Sequence, residues 1–195
     1  MKNRRVWILL GGIVVLSAAF LFLNFRVAVS NTQAEKNITT LSGGDRLPDA
    51  MQRQDKISIA LVGEGPLASA LQKALAAEMH KAGMGEFVLV QDFEPAYQNP
   101  VLVVKVDKPG LIWTPFFATS RFSIQAGFAS NGDTTFMGET PITYDSRNGP
   151  TLNMSADFKV SDRSWGLISR LGYHQFLADY LSQDIVSALK NLYKV

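Results

Sequence analysis

Apolar residues are spaced along this chain in three ways, and each spacing predicts a different element. From Val6 to Phe25 they run almost without a break, VWILLGGIVVLSAAFLFLNF. A helix rises about 1.5 Å per residue and the hydrocarbon core of a bilayer is about 30 Å thick, so roughly 20 such residues suffice to cross it. The run predicts one transmembrane helix over 6–25, behind a short N-terminus, 1–5. Residues 26–55 then lose periodicity, with Ser42-Gly43-Gly44 and Pro48 as breakers. They read as a flexible linker, because no apolar face repeats there that could be buried.

Residues 56–195 are patterned throughout. Ile57 to Val62 is a short β-branched apolar run closed by Gly63 and Gly65, which predicts a buried strand. Pro66 suits the first turn of a helix whose apolar stripe is Leu67, Leu71, Leu75 and Met79, ended by Gly83 and Gly85. Phe87 to Val90 and Val101 to Val106 predict two more strands. Phe122, Ile124, Ala126 and Phe128 alternate with polar residues, and so do Leu152, Met154, Ala156, Phe158 and Val160, the signature of strands buried on one face. Asn131-Gly132 between them is a hairpin signal, with Phe136 to Tyr144 expected to return antiparallel. Asp162 is placed to cap a short helical turn through Trp165, and Gly172 to break it from a long final helix. That helix carries its stripe on Tyr173, Phe176, Leu177, Tyr180, Leu181, Ile185, Ala188, Leu189 and Leu192.

Two amphipathic helices each need an apolar surface, and alternating strands offer one between them. The predicted fold is α+β, an α/β two-layer sandwich. Its sheet is mixed, mostly antiparallel and of about six strands, with both helices on one face, and one transmembrane helix precedes it. The other face is expected to be polar, displaying Arg121, Ser123, Gln125, Asn153, Ser155, Asp157 and Lys159. This order of elements is similar to that of small envelope domains, such as the lipopolysaccharide-assembly lipoproteins and the N-terminal domain of the periplasmic Tol-Pal partner. The likeness covers element order only, and the lipidated cysteine typical of the first group is absent.

Charge sets the orientation. Lys2, Arg4 and Arg5 precede the apolar run and only Arg26 follows it closely, so the N-terminus is expected in the cytoplasm and the domain outside it, in a single-pass membrane protein. Ala28 and Ser30 could instead serve a signal peptidase, which would leave a secreted chain beginning at Asn31. The run is longer than the usual 7–15 residue signal core, and Arg26 interrupts the approach to that site. The formal net charge of +2 comes from the N-terminal segment, since residues 27–195 hold 15 basic against 17 acidic side chains. A basic footprint for nucleic acid is therefore missing. With no cysteine in the chain, disulfides, thiolate metal sites and a cysteine nucleophile are all excluded.

Two segments could carry chemistry or contacts. Gly63-Glu64-Gly65-Pro66-Leu67-Ala68 fits G-x-G-x-x-A between a strand and a helix, and Asp92 or Glu94 follows the next strand where a ribose-binding acid would sit. This resembles the first unit of a Rossmann domain. The resemblance implies a dinucleotide held by Gly63, Gly65, Ala68 and Asp92. Against it, the chain after Val106 reads as hairpins without a second strand-helix-strand half, and Glu64 sets a carboxylate beside the phosphates, so no cofactor is expected. The second segment, Leu111-Ile112-Trp113-Thr114-Pro115-Phe116-Phe117, is bulky and apolar. Trp113, Pro115, Phe116 and Phe117 either fold back under the final helix against Trp165 and Tyr173 or form a site for another envelope protein or a lipid. His80 and His174 lie on separate helices without the i, i+4 partner of a helical zinc site, and no catalytic constellation or metal site is expected. The sequence leaves the oligomeric state open. The reading is a non-enzymatic, membrane-anchored binding or envelope-assembly protein.

Overall fold

The computed structural model describes residues 2–40, 56–84, 87–90, 94, 96–130, 132–134 and 154–193. The elements run α1 (Lys2–Phe22), β1 (Arg26–Thr40), β2 (Ile57–Val62), α2 (Pro66–Lys81), β3 (Phe87–Val90), β4 (Val101–Val106), β5 (Gly110–Thr114), β6 (Phe117–Ala129), β7 (Met154–Ile168) and α3 (Arg170–Tyr193). Among the described residues seven strands form one sheet in the order β1-β7-β6-β4-β2-β3, with β5 paired to β6. The β2 strand pairs parallel with β3 and β4, and every other pairing is antiparallel.

The layers follow the patterning. On α2, Leu67, Leu71, Leu75 and Met79 are buried. They join Tyr173, Leu177, Leu181, Ile185 and Leu189 of α3 and the inward side chains Ile59, Leu102, Val104, Ile124, Phe128, Phe158 and Val160 in one core. Gly65 and Pro66 start α2, and Gly83 ends it. With Gly83 at φ +70°, its amide donates to the His80 carbonyl at 3.0 Å and that of Met84 to the Met79 carbonyl at 3.2 Å, a Schellman closure. A smaller cluster of Ala60, Val101, Val103 and Ala129 lies on the opposite face, with Tyr97 packed against it. Gly132, at φ +78°, lies so close to the Tyr97 carbonyl that a Cβ would clash with it.

Four expectations change. Residues 26–40, read as the start of a flexible linker, form the longest edge strand. The β1 strand pairs with β7 from Arg26 opposite Ile168 to Thr40 opposite Met154. Its inward positions, Ala28, Ser30, Thr32 and Ala34, are small or hydroxylated, while Val27 and Val29 point outward, so its apolar alternation is inverted and reads as none. Residues 41–55 lie outside the described set. Against the expected sheet of about six strands, the described residues form seven, because β1 and β5 join the sheet; the expected strand over Phe136 to Tyr144 lies outside the described residues. Asp162 caps no helix. It sits inside β7, which continues to Ile168 because Thr32 of β1 and Ser120 of β6 pair on either side of it. Gly172 lies within α3 rather than breaking it, where a Cβ would stand 2.3 Å from the Phe25 carbonyl oxygen.

The first helix, α1, has 21 residues. The side chains of residues 2–6, 8, 9, 19 and 22 lie outside the described set, and among what is described no helix is long and apolar enough to cross a membrane.

Candidate functional site

Only residues 23–25 separate α1 from β1, and they are bound to the domain. The Ser169 hydroxyl accepts from the Phe25 amide at 2.9 Å and from the Gly172 amide at 3.0 Å, and it donates to the Phe25 carbonyl at 2.8 Å. The Ser169 amide donates to the same carbonyl at 3.0 Å. Next along the chain, the Arg26 guanidinium stacks 3.6 Å from the centre of the Phe176 ring and donates to the Ser30 hydroxyl. Burial pulls its pKa down, and the nearby Asp162 and Tyr173 act in the opposite sense.

Beneath β1 lies a buried polar node. The carboxylate of Asp162, fully buried, accepts from Thr32 Oγ1 at 2.7 Å, Ser164 Oγ at 2.8 Å and Tyr173 Oη at 2.7 Å. Tyr173 Oη also lies 3.1 Å from Ser120 Oγ, and since its one proton goes to Asp162, the serine is the donor there. Burial holds the Tyr173 phenol protonated well above its ordinary range. Three hydroxyl donors satisfy the carboxylate without a direct cation, and the node ties β1, β6, β7 and α3 together. It is sealed from solvent, so its chemistry is structural.

The exposed chemistry lies on the other face of the sheet, at the α1 end. Antiparallel pairing sets the outward side chains in rows. The first row is Val27 with Leu167, and the second is Val29, Trp165 and Phe117. In the third come Asn31, Arg163, Thr119 and Ile112, and in the fourth Gln33, Ser161 and Arg121. Val27 is 74% exposed, Val29 79%, Ile112 64% and Trp165 63%. Phe116, 66% exposed, sits at the turn between β5 and β6 with its ring centre 6.4 Å from that of Phe20 on α1. That turn is pinned to the end of β7, where the Gly166 amide donates to the Phe116 carbonyl at 3.0 Å and the Ile168 amide to the Pro115 carbonyl at 2.9 Å.

The four residues singled out in the sequence therefore divide. Trp113 is half-buried, its indole N–H donating to the Ile168 carbonyl at 3.1 Å. Pro115 and Phe116 form the turn, and Phe117 packs on Trp165 with ring centres 4.3 Å apart. Val27, Val29, Trp165 and Leu167 complete the patch and were not singled out. The signal for two of them was parity: extending the alternation of Met154 to Val160 by seven residues puts Trp165 and Leu167 on the outward face.

The glycine motif has its own geometry. Gly63, at φ +142°, closes on β4, where a Cβ would stand 2.9 Å from the Val106 carbonyl oxygen, while Gly65, at φ +106°, faces open space. Ala68 is buried, Glu94 is exposed, and Asp92 lies outside the described residues. No side chain caps the N-terminus of α2. His80 is exposed and His174 buried. Among the described residues no group of three potential ligands could hold a metal. A shallow groove between Gln33, Glu35, Arg121, Ser123, Lys159 and Ser161 continues the outward face away from α1.

No family model matches the chain, and neither does any curated protein. Among solved structures it is similar to the PelC dodecamer from Paraburkholderia phytofirmans, at 14% identity over 81% of this chain and 97% of that one, with a TM-score of 0.43. A minor lipoprotein from Acinetobacter baumannii is similar at 13% identity over 70% and 92% of the two chains, TM-score 0.33. Lipoprotein GNA1162 from Neisseria meningitidis is similar at 13% identity over 68% and 98%, TM-score 0.36. At these scores the likeness assigns no residue a role.

Proposed function

We propose that the chain is a single-pass membrane protein that holds an α/β domain against the outer surface of the membrane that anchors it, and that the domain works there by binding. The observation that carries this reading is the junction: the apolar run 6–25 ends at Phe25, which is bonded to Ser169 at the head of α3. Such a joint fixes the domain to the anchor instead of hanging it on a tether. Retention of the run fits better than cleavage, because a chain beginning at Asn31 loses the Phe25–Ser169 bonds, the Arg26–Phe176 stack and the first five residues of β1. Lys2, Arg4 and Arg5 ahead of the run support an N-terminus on the inside. The polar half of the outward face, around Glu35 and Lys159, is then free to meet a partner in the envelope. Photocrosslinkers placed at Glu35 and Lys159 in native membranes test this, with a discrete adduct supporting binding and the absence of any adduct opposing it.

A second reading rests on the parallel β2-α2-β3 unit with Gly63 and Gly65 at positive φ, which suits a dinucleotide phosphate at the start of α2. Calorimetric titration with NAD and FAD separates the two. Heat of binding abolished by Gly65→Val favours the cofactor reading, and no heat with either dinucleotide rejects it.

A further inference from the structure

We infer that the outward face of the sheet next to α1 is a docking surface for the headgroup region of an anionic bilayer, with Phe116, Trp165 and Leu167 entering the hydrocarbon boundary and Arg163 and Arg121 meeting lipid phosphates. The inference rests on the membrane anchor proposed above and names what the domain touches first. Phe20 belongs to the apolar run, about 3 Å inside the Phe22 end of α1 at 1.5 Å per residue. The Phe116 ring packs against it at 6.4 Å between ring centres. Once the run crosses the bilayer, that contact brings the β5–β6 turn to the depth of the lipid boundary, and the rows of Val27, Leu167, Val29 and Trp165 come with it.

Charge along the strands agrees. Beyond the Trp165 row, Arg163 follows about 7 Å further on and Arg121 about 14 Å further on, at about 3.4 Å per residue. Both are exposed, and among the described residues neither is paired with a carboxylate. The first acid on this face is Glu35, in the fifth row. An apolar band, then arginines, then mixed polar residues is the order in which a bilayer presents hydrocarbon, phosphate and water. Arginine also matches phosphate in shape, with a planar fork of donors.

The absence of cysteine permits a direct test on the full chain. Nitroxides are attached to Val14→Cys, Phe116→Cys, Leu167→Cys and Asp157→Cys, one per protein, in vesicles of phosphatidylglycerol and phosphatidylcholine. Accessibility to oxygen and to a nickel chelate gives the depth of each label. Position 14 is expected to read as hydrocarbon, 116 and 167 as the headgroup boundary with several-fold less nickel accessibility than 157, and 157 as water. Arg121→Gln with Arg163→Gln is expected to make 116 and 167 shallower in these vesicles. With both arginines in place, 116 and 167 are expected to be equally shallow in vesicles of phosphatidylcholine alone, and depths unchanged by either manipulation overturn the phosphate contact. Position 14 in hydrocarbon with 116 and 167 as wet as 157 overturns the docking while the anchor stands. Position 14 in water overturns the anchor and the docking together. Spin coupling or disulfide pairing between copies at 116 assigns the patch to a second copy of the chain and overturns the lipid assignment.

Discussion

Ser169 grips Phe25 on both its backbone groups, accepting its amide at 2.9 Å and donating to its carbonyl at 2.8 Å. One hydroxyl thus joins the end of the apolar run to the start of α3. Ser169→Ala removes the bridge and leaves the Phe25 and Gly172 amides short of a partner, so a loss of about 1–3 kcal/mol is expected. Hydrogen exchange localises the effect. Amides at the start of β1 should lose protection while those of α2 keep theirs, and uniform loss across the domain would contradict this account of the joint.

Gly172 gives a test by sign. In an ordinary helix interior, glycine to alanine gains about 1 kcal/mol. Here a Cβ would meet the Phe25 carbonyl oxygen at 2.3 Å, so Gly172→Ala is expected to cost about 1–3 kcal/mol by overpacking. Thermal melting of the variant reads the sign directly, and a raised Tm would mean that Phe25 does not lie against α3.

The buried node predicts non-additive losses. Asp162→Ala strands the hydroxyls of Thr32, Ser164 and Tyr173 and should cost about 3 kcal/mol or more, whereas Tyr173→Phe removes one donor and should cost about 1–2 kcal/mol. In a double-mutant cycle of Asp162→Asn with Tyr173→Phe, denaturant melts are expected to give a coupling of about 0.5–3 kcal/mol. Additive losses would mean that the two groups do not share a proton-donating bond.

The buried His174 sets an acid limit. Its imidazole is held below its ordinary value, first because burial penalises the imidazolium and second because Arg170 repels it. The folded pKa is thus the lower one, and between it and the unfolded value near 6.5 the unfolded chain binds more protons. Stability is expected to be full above about pH 6.5 and to fall as pH drops from there toward the folded pKa. His174→Gln should flatten that part of a stability-against-pH curve, and an unchanged slope in the variant would place the proton elsewhere.

Much of this architecture was legible in the residues. The stripes of α2 and α3 and the alternation in β6 and β7 identify the helix-facing side of the sheet, because in each a large apolar residue recurs at the period of its element. The β1 strand escaped for the opposite reason: its inward residues are Ala28, Ser30, Thr32 and Ala34, chosen to reach Asp162 and Ser164 instead of to fill volume. Asp162 looked like a helix cap because a lone aspartate after an alternating strand has the local chemistry of one, and only the partners on β1, β6 and α3 make it a buried node. The patch was half visible. Trp113 to Phe117 stood out as a bulky run, but which of those rings turn outward depends on β5 and β7, and Val27 joins them through pairing across more than a hundred residues.

The central claim is that the domain lies outside the cytoplasm on a retained anchor, and Lys73 on the exposed side of α2 offers a clean reporter in a chain without cysteine. Lys73→Cys is treated with a membrane-impermeant maleimide in sealed spheroplasts, and the membranes are then washed with alkaline carbonate. The account predicts labelling without lysis and a labelled chain that stays in the washed membrane. Labelling that requires lysis, or a labelled chain released by the wash, would contradict it.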